Sequence, residues 1–265
     1  MLDLATTLSL TMKIVGFATV VSSLELLALW RAREFASDGI WDWSIIGTAT
    51  SPRSGLVDPL FRHQKALPVI LALRVAAGLA CLLLWWNPLV TGLLLGLLFL
   101  IQMLLNTRIV FGDDGSDQML SIVLASLVVA SLASTNETAV TICLIFLAMQ
   151  GTLSYSCSGI AKCFGEHWRD GSALPRVLGH YAYGHQAFHN ALSRFSPVGR
   201  IASWSVMGFQ LLFVFYWITP EPWHLMWLAS SLLFHAGIAY FMRLNGFLFS
   251  FPACYPALIY VHHLL

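Results

Sequence analysis

The sequence predicts an all-α membrane protein, a bundle of about eight transmembrane helices with short interfacial helices. Of its 265 residues, 58% are hydrophobic and only 10% are charged, whereas soluble domains carry roughly a quarter charged residues. The apolar residues also come in runs long enough to cross the hydrocarbon layer of a bilayer. The basic residues fall mostly between these runs in a regular alternation, which supports a count of eight.

Eight apolar runs supply the candidate spans. In chain order they cover residues 8–30, 66–86, 89–105, 118–133, 140–161, 204–218, 223–242 and 247–261. The third and fourth are short for a span of about 20 residues. The eighth contains Pro252 and Pro256, which predict a kinked helix or one that only dips into the membrane. The sequence therefore predicts seven or eight spans.

The basic residues support this division and orient it. Of the 14 Lys and Arg, only Lys13 and Arg74 lie inside the runs, and every other one follows an odd-numbered run. The loops after runs two, four and six contain none. Because cytoplasmic loops are enriched in Lys and Arg, we expect a multi-pass protein of the cell inner membrane with both termini outside the cytoplasm.

Composition also excludes several classes of function. A net charge of +1 without a basic tract argues against a nucleic-acid partner. The five cysteines are odd in number and form no C-x-x-C pair, so we expect buried apolar side chains. His185 and His189 have a helical spacing that suits a metal, but a transition-metal site usually needs three or four ligands, so an interfacial helix and no metal site are predicted. Two longer loops, 31–65 and 162–200, are rich in aromatic residues and predict helices at the headgroup level. No linker or repeat divides the chain, so 1–265 is predicted to form a single membrane domain.

The stretch 155–174, YSCSGIAKCFGEHWRDGSAL, is the most informative part of the sequence. The fifth apolar run ends at Lys162, and a Trp-Arg-Asp-Gly turn follows at once. A lysine at the edge of a membrane cavity becomes a base when burial disfavours its charged form. The same position suits a snorkelling lysine, with its stem in lipid and its ammonium among headgroups. The residues alone leave both interpretations open.

This stretch resembles the signature of the horizontally transferred transmembrane (HTTM) family, which includes the membrane half of vitamin K-dependent γ-carboxylase. The matching residues are Tyr155, Ser158-Gly159, Lys162, Trp168 and Asp170-Gly171. Segments 26–43, 112–118 and 234–251 resemble further parts of the family in the same order. In the carboxylase the matching lysine deprotonates reduced vitamin K, so the resemblance implies that Lys162 is a base acting near a quinol.

The resemblance stops short of protein carboxylation. Ser116-Asp117-Gln118 stands where the carboxylase has Asn-Asn-His, and the large extramembrane part of the carboxylase has no counterpart in this sequence. The carboxylase site also opens to the lumen, whereas the basic loops place Lys162 on the cytoplasmic side. We therefore do not expect carboxylation of a protein substrate.

Five further residues complete the predicted site. His235 lies in the middle of a span, where ionisable residues are rare and usually face the bundle interior. It is the second catalytic candidate, the alternative being a histidine that stabilises helix packing. Asp117, Gln118, Tyr155 and Trp168 are the predicted substrate-binding groups.

The predicted function is a membrane-embedded enzyme, or a component of one, that acts on a quinol, a lipid or a hydrophobic peptide at the cytoplasmic leaflet. Lys162 is its base, and a quinol is the cofactor that the resemblance implies. The alternative is a non-catalytic membrane protein that assists the maturation or export of a small secreted peptide. That alternative tolerates the loss of Lys162.

Overall fold

The computed structural model describes residues 2–37, 39–49, 54–63, 65–109, 114–181 and 184–265. These residues form α-helices and short 3-10 helices and no strand, as the composition predicted. In chain order the helices are α1 (Leu4–Arg31), α2 (Trp43–Ala49), α3 (Ser54–Arg62), α4 (Ala66–Leu83), α5 (Pro88–Arg108), α6 (Gly115–Leu132), α7 (Glu137–Phe164), α8 (Glu166–Arg169), α9 (Ala173–Leu178), α10 (Gln186–Arg194), α11 (Ser196–Leu212), α12 (His224–Met242), α13 (Gly246–Ser250) and α14 (Tyr255–His262). One 3-10 helix, Phe213–Ile218, continues α11, and another, Pro252–Cys254, joins α13 to α14.

Seven helices in the described part of the chain are long and apolar enough to cross a membrane. They are α1, α4, α5, α6, α7, α11 with its 3-10 continuation, and α12. They coincide with the first seven predicted runs, so the protein is a multi-pass membrane protein whose environment is a lipid bilayer. The two longest, α1 and α7, each have 28 residues and extend past the predicted runs at both ends.

The eighth predicted run is not one long helix. It divides into α13, the 3-10 helix and α14, and together these form a shorter apolar region, Gly246–His262. Proline lacks the N–H that continues a helix, and Pro252 opens the 3-10 helix at the interruption. The predicted kink is thus confirmed. Pro256 stands at the start of α14, where a missing N–H costs little.

The chain divides into two compact units, and α7 runs from one into the other. The first unit comprises Met1–Leu147 and Phe249–Leu265. Its helices α1 and α4 approach closely at two glycines. A methyl group added to Gly16 would lie 2.7 Å from the carbonyl oxygen of Gly78. Small residues at such a crossing let helix backbones come together in a bilayer, where packing drives association.

The second unit is Ala148–Leu248. Here α7 packs against α11 at Gly159, where an added methyl group would lie 2.7 Å from the backbone nitrogen of Leu211. The chain then turns back at Gly171, whose φ of 78° suits glycine. Ser203 of α11 holds this turn, because its hydroxyl donates to the Gly171 carbonyl at 2.9 Å. The two loops predicted to contain short helices do contain them, α2 and α3 in one and α8 to α10 in the other.

Candidate functional site

Lys162 lies in the last turn of α7 and is half-buried. Its Nζ is 3.4 Å from the carbonyl oxygen of Ser158, one turn back along the same helix. The ammonium also lies 5.1 Å from the ring centre of Trp168 in α8. A cation over an indole face is attracted by the ring quadrupole. Two residues that the sequence predicted for the site, Lys162 and Trp168, are therefore in contact.

Tyr155 and His235 form the second pairing of predicted site residues. The Tyr155 hydroxyl lies 2.5 Å from His235 Nε2 and also hydrogen-bonds to the hydroxyl of Ser231. All three side chains are buried, with exposed fractions of 3% for Tyr155, 1% for His235 and 0% for Ser231. Ser231 and His235 are four residues apart on α12, so they share one helix face. Tyr155 reaches them from α7.

Aromatic rings surround this polar group. Tyr155 packs on Phe213 at 4.3 Å between ring centres and on Phe209 at 5.7 Å. His235 stacks on Phe247 at 6.0 Å. In such low-polarity surroundings a hydrogen bond is stronger than in water, and an unmade one is costly. The arrangement places a phenol and an imidazole in direct contact between two helices. Both groups can donate and accept protons.

Lys162 and Tyr155 lie along one stripe of α7. They are seven residues apart, or about two helical turns and 10 Å along the axis. Helical side chains lean towards the N-terminus, and the contact of Lys162 with Ser158 shows that its amine does so. The amine therefore lies nearer to the level of Tyr155 than its backbone does. Gly159 lies between them on this stripe and packs directly against the backbone of α11.

Asp117, another predicted site residue, belongs to a polar cluster of the first unit. Its Oδ1 accepts a hydrogen bond from Gln102 Nε2 at 3.4 Å. Gln102 Oε1 in turn accepts one from Arg74, and both Gln102 and Arg74 are 1% exposed. Asn106 extends the cluster, since it accepts from Gln102 at 2.7 Å. The cluster links α4, α5 and α6.

Gln118 does not share the position of its neighbour. It is exposed on α6, whereas Asp117 is half-buried against α5. Successive helical residues point about 100° apart, which separates the two side chains. Just before them, Asp114 begins the helix by accepting a hydrogen bond from the Ser116 backbone at 2.7 Å. Residues 112 and 113, part of the segment used for the resemblance, lie outside the described residues.

Three polar residues of these two groups were not predicted from the sequence. Gln102 and Asn106 are spaced four apart within an otherwise apolar helix, and that spacing was a usable signal for one polar face. Ser231 left no such signal, because serine is common at helix contacts in membranes. Its role follows only from its contact with Tyr155.

No family model, curated protein or solved structure matches this chain. The resemblance to the HTTM family rests on the residues quoted for it from the sequence.

Proposed function

We propose that this chain is a membrane-embedded enzyme, or a component of one, that removes a proton from an apolar hydroxylated substrate. The observation that carries the proposal is the buried contact between Tyr155 and His235, 2.5 Å from hydroxyl to imidazole nitrogen. Ionisable groups inside a membrane helix are rare and costly, and they mark substrate, ion or proton sites. A quinol is the substrate class that the HTTM resemblance adds, and we propose membership of that family with it.

The chemistry assigned to the residues is a simple proton transfer. Lys162, as the neutral amine, accepts the proton of the substrate hydroxyl and becomes the ammonium, and the substrate is left as an oxyanion. The Tyr155 hydroxyl, held by His235, is the second polar group of the proposed site, about two turns along α7 from Lys162. A positioned general base contributes about 100-fold or more to such a step.

The side of the membrane follows from the charges in this proposal. Lys162 begins the loop that carries Arg169, Arg176, Arg194 and Arg200, and basic loops favour the cytoplasm. The site would then open at the cytoplasmic leaflet of the inner membrane, with both termini outside. A substrate dissolved in the bilayer, such as a quinol or another lipid, would reach it laterally.

A second candidate is the accessory protein for a small hydrophobic peptide. One observation favours it. The Lys162 amine lies over the Trp168 ring and near the carbonyl of Ser158, which are the surroundings expected of a charged lysine at a helix end. An accessory protein needs no base at this position and requires only the charge.

Lys162→Arg separates the two candidates. Arginine keeps the positive charge and stacks on tryptophan, but it does not lose its proton in proteins. The full chain is reconstituted in vesicles under argon with a short-chain naphthoquinol, and the quinolate is followed by its absorbance. We expect the wild type to form bound quinolate at neutral pH in proportion to the amount of protein. Lys162→Arg and Lys162→Ala should form none above protein-free vesicles, because neither variant offers a neutral amine at this position.

Tyr181→Phe serves as the matched control for Tyr155→Phe, because Tyr181 is 96% exposed. We expect the control to keep wild-type activity and Tyr155→Phe to lose most of it. Full quinolate formation by both Lys162 variants would overturn the enzyme proposal and leave the accessory function.

A further inference from the structure

The first unit contains a cavity of about 750 Å³ that the proposed function does not use. It lies where α1 and α5 end and is closed by α2 and α3. Pockets for small molecules usually enclose about 300–1,000 Å³, so this one has room for a ligand. Its lining combines aromatic rings with several arginines.

Arg108, the last residue of α5, is the buried cation of this cavity. It is 3% exposed, and its guanidinium carbon lies 5.0 Å from the ring centre of Phe35 and 5.2 Å from that of Trp43. Its Nη2 donates to the carbonyl oxygen of Trp41 at 2.6 Å. Its Nη1 is buried and has no hydrogen-bond partner among the described residues. A buried charged donor left unpaired is costly, so an anion is the ligand that complements it.

The two carboxylates of the lining are already engaged by neighbours. Asp42 accepts hydrogen bonds from the backbone and hydroxyl of Ser44, at 3.0 Å and 2.5 Å. Asp58 accepts from Arg62 Nε at 2.6 Å and from Trp43 Nε1 at 3.0 Å. These hydrogen bonds hold the pKa of each carboxyl below its ordinary value. Both acids therefore stay ionised, and Asp42 also attracts the charge of Arg108, yet neither carboxylate accepts a hydrogen bond from Arg108 Nη1.

Positive charge still predominates around the cavity. Four arginines line it, against the two aspartates, and they are Arg31, Arg33, Arg62 and Arg108. Arg31 and Arg33 are exposed at its rim. Arginine binds phosphate oxygens with two parallel N–H groups, and several arginines together suit a group that carries more than one charge.

We propose that this cavity binds a phosphate group, with Arg108 as the buried contact and Arg31 at the rim. The aromatic walls accommodate an attached apolar chain, so the phosphate comes either from a lipid headgroup or from free phosphate. The site lies in the first unit and uses none of the residues assigned to proton transfer. It therefore goes beyond the proposed function and does not depend on it.

Native mass spectrometry of the full chain, released from neutral detergent micelles, tests this site. The probes are dihexanoyl phosphatidic acid and dihexanoylglycerol, which differ only in the phosphate, together with inorganic phosphate as competitor. We expect the wild type to bind the phosphatidic acid and not the diacylglycerol. Displacement by inorganic phosphate would identify free phosphate as a sufficient ligand, and resistance to it would identify the lipid. Either outcome supports the proposal.

Arg31→Gln and Arg108→Gln should each weaken phosphatidic acid binding at least about tenfold, because each removes charge-assisted hydrogen bonds. Arg194→Gln is the matched control, since Arg31 and Arg194 are both exposed final residues of helices and only Arg31 lines the cavity. Thermal unfolding checks that Arg108→Gln is folded, and exposed Arg31 supplies the test if it is not. Equal binding by Arg31→Gln and the control, or binding of neither phosphate probe to the wild type, would overturn the site.

Discussion

Two of the polar groups among the described helices, one in each unit, differ in kind. The cluster of the first unit contains charged Arg74 and Asp117, joined through the amide of Gln102. The group of the second unit contains Tyr155 and His235, a phenol and an imidazole that can both be uncharged near neutral pH. Fixed opposite charges inside a membrane hold helices together. A phenol in contact with an imidazole can instead pass a proton, which is the role proposed for the second group.

The two groups also differ in how the chain assembles them. The residues of the first cluster come from α4, α5 and α6, which follow one another in sequence. Tyr155 and His235 come from α7 and α12, with five elements between them. Aromatic rings such as Phe209 and Phe213 enclose the second group. Positioning a pair so distant in sequence depends on the packing of the whole second unit.

The largest expected effect breaks the first cluster. Arg74→Leu removes the cation and leaves the buried Gln102 and the half-buried Asp117 without it. Loss of one partner from a buried charged group costs about 3–5 kcal/mol, and we expect that decrease in the free energy of unfolding, measured by denaturation in mixed micelles. Adding Asp117→Asn to Arg74→Leu should recover part of the loss. An unchanged stability in Arg74→Leu would contradict the structural assignment of this cluster.

A smaller effect tests the packing on which the second group depends. In Gly159→Ala the new methyl group meets the backbone of α11 at 2.7 Å. Overpacking of this kind costs about 1–3 kcal/mol, and we expect it to appear as a lower unfolding temperature. The control is Gly208→Ala in the same unit, where an added methyl group has no atom within 4 Å among its described surroundings. That control should be neutral or slightly stabilising, because alanine favours the helix.

The smallest expected effect distinguishes Gln118 from Gln102, two glutamines of neighbouring helices. Gln118 is exposed on α6, so Gln118→Ala should change the unfolding free energy by less than about 0.5 kcal/mol. Gln102→Ala removes the link between Arg74 and Asp117 and should cost about 1–3 kcal/mol. The same denaturation assay measures both. Equal losses would show that burial of Gln102 does not matter to the cluster.

The helices could be predicted from the sequence because apolar runs of membrane length have few alternatives to a helix. The run 247–261 was the exception, and its prolines predicted the interruption found at Pro252. The alternation of basic loops supported the same division of the chain. These signals are local, so they need no knowledge of how the helices pack.

The site was predictable only in part. Local sequence singled out Lys162 and Trp168, and their contact follows from a turn only a few residues long. Tyr155 and His235 were each singled out, but their pairing depends on packing between helices 80 residues apart in sequence. Gln118 was grouped with Asp117 because both lie in the stretch that resembles the polar motif of the family, whereas a helix turns adjacent residues to different faces.

The cavity of the first unit was missed for a related reason. Its lining comes from the ends of α1 and α5 and from two short helices between them. In the sequence, Arg108 is a single basic residue after a span, which the positive-inside rule explains without a site. Only the surrounding rings of Phe35 and Trp43, and the burial of its guanidinium, distinguish it from other loop arginines.

The most direct test of whether the Tyr155–His235 pair handles protons is His235→Phe. Stability and quinolate formation are measured on the same preparation. Phenylalanine fills a similar volume among the rings of Phe234 and Phe247 and removes only the imidazole nitrogens. If the pair with Tyr155 handles protons, most of the bound quinolate is lost while the unfolding free energy falls by at most about 1–3 kcal/mol. Wild-type activity in a destabilised protein would show that His235 serves packing alone.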